Sequence, residues 1–287
     1  MIKLSIIIPH KNIPELLYRL VESIPNDDEL EIIIIDDNSD LNLIPKKDLL
    51  DINRNNIKII YNKESKGAGY ARNIGLKNAQ GQWILFADAD DFYLKNVFPL
   101  IKTFYDTKYD IVIFNAESKF SDSLQPTNRN DNINKLINLF ILNKISSREV
   151  ALSLHSPWSK LIKKELINNN HIAFDEIPCA NDVMFSTKIA VHAKNIGICK
   201  EPIYCVTFRE GSLWDQRKTD PENYLLRIKV YIERNKYLKV NKISTTPILG
   251  SILKASKFSL RVFFKALYFG LKSNQLFTGC SKYLNTK

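Results

Sequence analysis

Trp83 to Asp91 read WILFADADD, a short apolar run that ends in three carboxylates, Asp88, Asp90 and Asp91. Two acids separated by one residue offer the hard oxygen ligands that Mg²⁺ or Mn²⁺ takes, and such a cation can grip a diphosphate. The plainer alternative is a solvated acidic turn, and a lone D-x-D does not decide between the two. Two more polar clusters follow apolar runs: Pro9-His10-Lys11-Asn12 after Leu4–Ile8, and Asp36-Asp37-Asn38-Ser39 after Glu31–Ile35. Strands lying side by side in a parallel sheet would bring all three clusters to one crevice at their C-terminal ends. Unpaired carboxylates are costly to bury without a metal or hydrogen-bond donors, so the convergence favours a site.

The elements that must hold these groups alternate along the chain. Strands are predicted at Leu4–Ile8, Glu31–Ile35, Ile57–Tyr61, Trp83–Ala87 and Asp110–Phe114, with helices at Ile13–Ile24, Ala68–Ala79 and Leu94–Tyr105. Near-continuous Ile/Val strands between helices predict an α/β fold: a mostly parallel central sheet covered by helices on both faces. After Ala116 the alternation fades. Residues 118–132 read as a polar, mobile loop, and 133–235 mix helices with short β segments such as Ile198–Phe208. There is no internal repeat.

The 287 residues carry 41 Lys/Arg against 31 Asp/Glu, a formal charge of +10. Eleven of the basic residues and none of the acidic ones lie between Arg234 and Lys287, which leaves 30 basic and 31 acidic in the rest. A neutral main part with a basic appendage argues against a nucleic-acid-binding core. In the appendage Lys254, Lys257, Arg261, Lys265 and Lys272 recur at helical spacing among Leu253, Phe258, Leu260, Phe263, Phe264, Leu267 and Phe269. That pattern predicts a basic amphipathic helix able to lie on an anionic membrane surface. The alternative is a helix packed on the main domain with solvated lysines. The apolar stretch after Met1 is too short for an export signal, and no window is long enough to span a bilayer. Cys179, Cys199, Cys205 and Cys280 lack C-x-x-C spacing, so reduced thiols in a cytoplasmic protein are expected.

Gly67-Ala68-Gly69-Tyr70-Ala71-Arg72 approaches the dinucleotide-binding G-x-G-x-x-G, but Arg72 replaces the third glycine and Asn62–Lys66 separate the glycines from the strand. Taken with Ser5–Pro9 and Asn12, Glu31–Ser39, Arg72-Asn73-Ile74-Gly75 and Gly81–Asp91, the segment instead resembles family 2 glycosyltransferases of the GT-A fold, which build bacterial surface polysaccharides from nucleotide-activated sugars. A looser block, Pro157–Leu161, Asn181–Phe185 and Tyr204–Ser212 with Arg209, resembles the acceptor side of capsule and lipooligosaccharide transferases. The implied layout is a nucleotide-sugar half at 1–115, an acceptor half at 116–235 and a basic helical tail at 236–287.

The resemblance implies roles. Asp37 would bind the uracil ring, Pro9, His10 and Lys11 would line the nucleoside pocket, and Asp88 would sit near the ribose or bridge to the metal. Lys66, Arg72 and Ala89 complete the expected nucleotide-binding set, and Asp90 would coordinate Mn²⁺ or Mg²⁺. Asp182 would be the general base that takes the acceptor hydroxyl's proton. Its own-sequence alternative is an N-cap for a helix starting at Val183. Where the family usually has Glu-Asp this chain has Asn181-Asp182, and no aromatic follows Pro9. The expectation is an inverting, metal-dependent hexosyltransferase-like enzyme that moves a sugar from a UDP-sugar to a glycan, lipid-linked at the inner membrane face. A nucleotidyltransferase predicts a Gly-rich loop near residue 10, yet no glycine precedes Gly67. A membrane-docked nucleotide-sugar-binding module is the other alternative; the intact acids argue against it.

Overall fold

The structure, a computed structural model, describes residues 1–46, 54–209 and 220–278. These pack as two compact units, Met1–Ile177 with Phe185–Arg209, and Pro178–Met184 with Glu210–Lys287.

In the first unit, β1 (Leu4–His10), β2 (Leu30–Asp36), β3 (Ile57–Tyr61) and β4 (Trp83–Phe86) form the expected parallel half of the sheet. With β5 (Phe92–Tyr93), β6 (Ile111–Phe120), β7 (Lys160–Lys163) and β8 (Ile196–Phe208), the order across the sheet is β3-β2-β1-β4-β7-β6-β8-β5. Four of the seven neighbouring pairs are parallel; β7 runs antiparallel to both β4 and β6, and β5 to β8. Alternation along β1 divides the core. Leu4, Ile6 and Ile8 face a layer containing α1 (Pro14–Glu22) and α3 (Phe98–Lys102), while Ile7 faces α2 (Gly67–Asn78) with Ile33, Ile35 and Ala71. Two buried faces explain why these strands read as unbroken apolar runs.

Two local expectations change. The predicted helix at 94–105 shrinks to α3, and Phe92–Tyr93 instead pair with Cys205 and Tyr204 of β8. Pro99 is tolerated in the first turn of a helix but not in its interior, and Asn96 takes a left-handed φ of 59° just upstream. The polar 118–132 segment is not a free loop. Its start extends β6, its end opens α4 (Asp131–Ile141), and Ser118 Oγ ties the two, lying 2.8 Å from Thr127 O and 2.6 Å from Asn130 Oδ1. The β6–β8 ladder slips around Asn115, and beyond that irregularity a two-strand extension continues to Phe120 and Phe208. Residue 115 therefore lies within a strand. Helices α5 (Ser147–Ser153), α6 (Lys164–Asn169) and α7 (Asn181–His192) complete the elements before β8.

The second unit is helical: α8 (Pro221–Val240), α9 (Leu249–Lys254) and α10 (Leu260–Lys272) enclose Leu225, Ile228, Ile232, Ile252, Val262 and Ala266. Residue 235 falls inside α8, so the basic tail shares a core with residues upstream of it. No helix among the described residues is long and apolar enough to cross a membrane. Cys179, Cys199 and Cys205 are free thiols; Cys280 lies outside the described residues, as does Ser212 of the second resemblance block.

Candidate functional site

The three clusters do meet, because β2, β1 and β4 are neighbours and all end at the same edge. At the β1 tip, His10 is fully enclosed. Its Nδ1 lies 2.8 Å from Asp36 Oδ1, and its Nε2 accepts from Ile13 N at 3.2 Å, which assigns the proton to Nδ1. Burial raises the Asp36 carboxyl, but hydrogen bonds from His10 and Ser39 outweigh it and hold the group below its ordinary range. The His10 ring is thus spent on the scaffold, a structural use the sequence reading did not assign it. Asn12 and Asn38, both at left-handed φ, turn the chain out of the strands, and Asn12 Oδ1 accepts from Asp40 N at 2.8 Å. Pro9 is half-buried and Lys11 exposed.

Asp37 sits against the start of α2. Its Oδ1 accepts from Lys66 N at 2.9 Å, and its Oδ2 from Gly67 N at 2.8 Å and Ser65 Oγ at 3.0 Å. The carboxylate is fixed on the positive end of a helix dipole, and Gly67, at φ +86°, permits the close turn. A carboxylate has about four acceptor positions, and three are used here, so Oδ1 keeps one for a ligand N–H. Lys11 Nζ donates to Ser65 Oγ at 2.6 Å, joining the β1 loop to this cluster. The Lys66 side chain is exposed, pairs with Glu64 at 2.9 Å and lies over the Tyr70 ring.

The acidic tip divides its labour. Asp91 is buried and faces inward, accepting from Tyr204 Oη at 2.8 Å and from Thr207 N at 2.6 Å. Tyr204 Oη in turn accepts from Asp88 N at 2.9 Å. Burial, then the charges of Asp91 and Asp88, push the Tyr204 phenol well above its ordinary range, so it remains a proton donor. Trp158, half-buried, stacks on that phenol ring at 5.6 Å and packs against the core. Asp88 faces out and pairs with Arg72 Nη2 at 2.6 Å, and the Arg72 guanidinium lies 5.3 Å from the centre of the Phe174 ring. Asn73 fixes that wall: its side chain donates to Phe174 O and accepts from Phe174 N.

Asp90 is different. Its backbone carbonyl accepts from Arg19 Nη2 and Thr207 Oγ1, but its carboxyl is raised by burial and then by the charge of Asp88. Arg129 and Arg209 only partly offset this. A desolvated carboxyl beside a second acid suits a divalent cation. Asp88 and Asp90 supply hard oxygens; Asp91 supplies none, and no group of three or more potential ligands occurs among the described residues. In ligand type the two acids fit Mg²⁺ or Mn²⁺. Ala89, between the two acids, is buried.

The first unit therefore brings together Pro9, His10, Lys11, Asp37, Lys66, Arg72, Asp88, Ala89 and Asp90. Asp182 belongs to the second unit, in the first turn of α7. That helix starts at Asn181, one residue earlier than a cap at Asp182 requires. Arg19, Arg129, Tyr204 and Thr207 were not among the expected site residues. Their signal is three-dimensional: Arg19, Tyr204 and Thr207 lie 71 to 117 positions from the tip residues they bond, and Arg129 reaches the tip only through its bond to Thr207 O and its charge near Asp90.

The sequence profile of the family described as Glycosyl transferase family 2 matches residues 5–169. The chain belongs to glycosyl transferase family 2. Among curated relatives, the poly(ribitol-phosphate) beta-N-acetylglucosaminyltransferase TarS of Staphylococcus aureus is 27% identical over 234 residues, covering 78% of this chain and 39% of that protein. The minor teichoic acid biosynthesis protein GgaB of Bacillus subtilis is 31% identical over 218 residues, covering 72% of this chain and 23% of that protein. The chain thus spans well under half the length of either relative. The crystal structure of S. aureus TarS 1–349 in complex with UDP-GlcNAc superposes with a TM-score of 0.63 at 19% identity, covering 99% of this chain and 92% of that one. The fold is the GT-A fold that the resemblance implied.

Proposed function

We propose that this chain transfers a sugar from a UDP-sugar to a hydroxyl of a surface-polymer acceptor, with inversion. The observation that carries the reading is Asp37 anchored on the α2 N-terminus with an acceptor position in hand, in the same strand-end row as the Arg72–Asp88 pair and Asp90. Asp37 Oδ1 takes the uracil N–H, with Pro9, Lys11 and Lys66 around the nucleoside. Arg72 orients Asp88 at the ribose side while its cationic plane faces the nucleotide. Asp88 and Asp90 would hold Mn²⁺ or Mg²⁺, which when bound would supply charge neutralisation for the departing diphosphate. Asp182 takes the proton of the acceptor hydroxyl as its oxygen bonds to the anomeric carbon and the carbon–diphosphate bond breaks on the opposite face. In this layout 1–115 serves the donor and 116–235 the acceptor. The similarity to TarS, a poly(ribitol-phosphate) beta-N-acetylglucosaminyltransferase, favours a phosphate-bearing polymer over capsule or lipooligosaccharide as the acceptor class.

The test is a thermal-shift series with Mn²⁺ and UDP, GDP or CDP. At about 100 times its Kd a ligand adds about 2.7 kcal/mol to stability, which for this size raises Tm by roughly 5–10 °C. UDP is expected to give that shift and GDP and CDP not; a larger shift with either of the latter overturns the uridine assignment.

For a lipid-linked acceptor the enzyme docks on the cytoplasmic face of the membrane through α10. Val262, Ala266 and Gly270 pack inward, whereas Leu260, Phe264, Tyr268 and Leu271 recur at helical spacing on the exposed side, with Arg261, Lys265 and Lys272 beside them. Each such apolar side chain gains about 1.5–3 kcal/mol on full burial, and each nearby cation about 1 kcal/mol at an anionic surface. Removing 245–287 would also uncover the α8 core, so point changes are the cleaner probe. Leu260→Ser with Phe264→Ser is expected to abolish flotation with phosphatidylglycerol vesicles while leaving the UDP-induced Tm shift intact. Undiminished flotation would remove the membrane role of α10.

A further inference from the structure

The second unit contains a cavity of about 400 Å³ that the proposed reaction does not use. Its walls include Tyr224, Arg227 and Tyr231 from α8, Thr246 from the loop that follows, and Ser251 and Lys254 from α9. We infer that this cavity is a separate binding site for a phosphate ester carried on a polyol.

Charge comes first. Neither Arg227 nor Lys254 forms an ion pair among the described residues. The acids of the same helix are engaged elsewhere: Glu222 pairs with Lys265 at 3.1 Å, and Glu233 with Lys236 at 2.7 Å. From Arg234 to Lys287 the sequence has no acid at all, so nothing in that stretch cancels the two cations. A guanidinium and an ammonium on one cavity match phosphate oxygens, the first through its planar fork and the second as a point charge.

The rest of the lining suits a hydroxylated carbon chain. The Tyr224 and Tyr231 rings offer flat apolar faces, and the Thr246 and Ser251 hydroxyls offer polar contacts. These walls are held in place. Tyr224 Oη donates to Ser251 O at 2.8 Å, and its ring packs on Phe258 with centroids 5.0 Å apart. Thr246 is gripped on three sides: Asn235 Nδ2 donates to its carbonyl at 2.8 Å, its N–H donates to Asn235 Oδ1 at 2.9 Å, and Arg234 Nη1 donates to its hydroxyl at 2.6 Å. Asn235 and Arg234 are only 1% and 3% exposed. Both buried side chains are hydrogen-bonded to this loop, which preorganises the cavity wall.

A polyol phosphate can arrive from two sources, a repeat of a polyol-phosphate polymer or the headgroup of an anionic lipid. The experiment uses the full chain and the double variant Arg227→Gln/Lys254→Gln, with glycerophosphoglycerol, inorganic phosphate and glycerol as soluble probes by calorimetry. Saturable binding of glycerophosphoglycerol, weakened about tenfold or more in the variant and stronger than binding of inorganic phosphate or glycerol, is the expected result. Phosphatidylglycerol vesicles form the second arm, in the Leu260→Ser/Phe264→Ser background. Binding of the soluble probe without the vesicle assigns the polymer, and the reverse assigns the lipid. Equal binding by variant and parent in both arms, or none in either, overturns the site, as does inorganic phosphate binding as tightly as its ester. The UDP-induced Tm shift, measured on the same variant, is expected to be unchanged and keeps this outcome separate from the fate of the donor site.

Discussion

Asp182→Asn is expected to lower kcat by about 10²–10⁴ while UDP affinity changes by less than about twofold. An alcohol attacks poorly until its proton is being removed, and an amide of the same shape cannot accept that proton. The acid also complements the α7 dipole, worth about 0.3–1 kcal/mol, so the fold should barely register the change. Asp90→Asn is the informative companion: it should lose transfer together with the Mn²⁺ dependence of nucleotide binding, whereas Asp182→Asn should keep that dependence. The check is transfer to acceptor, with nucleotide binding measured on the same preparations. A kcat within twofold of the parent for Asp182→Asn would remove it from the chemistry.

Gly81→Val should cost the first unit about 3 kcal/mol. A Cβ at Gly81 would sit 2.6 Å from Ser5 N and 2.7 Å from Leu4 C, both backbone atoms of β1. No rotamer can relieve such an approach, so β1 and the entry to β4 would have to part. The movement would also disturb the hydrogen bonds from Gly81 N to Ser5 Oγ at 2.8 Å and to Glu31 Oε1 at 3.2 Å. Gly250→Ala is the control. That glycine lies in α9 with open space around it, and the change should stabilise by about 0.5–1 kcal/mol. Urea midpoints measure both, and an unmoved midpoint for Gly81→Val would show that the strands can yield.

Much of this architecture is readable in the residues because each early strand carries its own signal. Ile6–Ile8 and Ile32–Ile35 are apolar on both sides because helices cover both faces, and the polar groups that follow mark the edge where chains turn. What is hard to read depends on partners remote in sequence. β7 is four residues long and earns its place only by pairing with β4 and β6. Phe92–Tyr93 are too short to signal a strand alone and become one only by pairing with β8. His10 shows the same limit from the other side: its position at a strand end suggests a ligand contact, but Asp36 and Ile13 N take both ring nitrogens. Asp91 looks like one more metal ligand in the run of acids, and only Tyr204 and Thr207 reveal that it points inward.

The phenol bridge between Asp88 N–H and Asp91 spans 116 and 113 positions of sequence. Contacts of such separation form late and slowly. During synthesis the first four strands can emerge and pair while the acids at their edge still lack the hydroxyl that sets their directions. Donor recognition should therefore switch on only once the ribosome has released the chain through Phe208. Grafting residues 1–115 onto another protein would transplant a sheet without a working nucleotide grip.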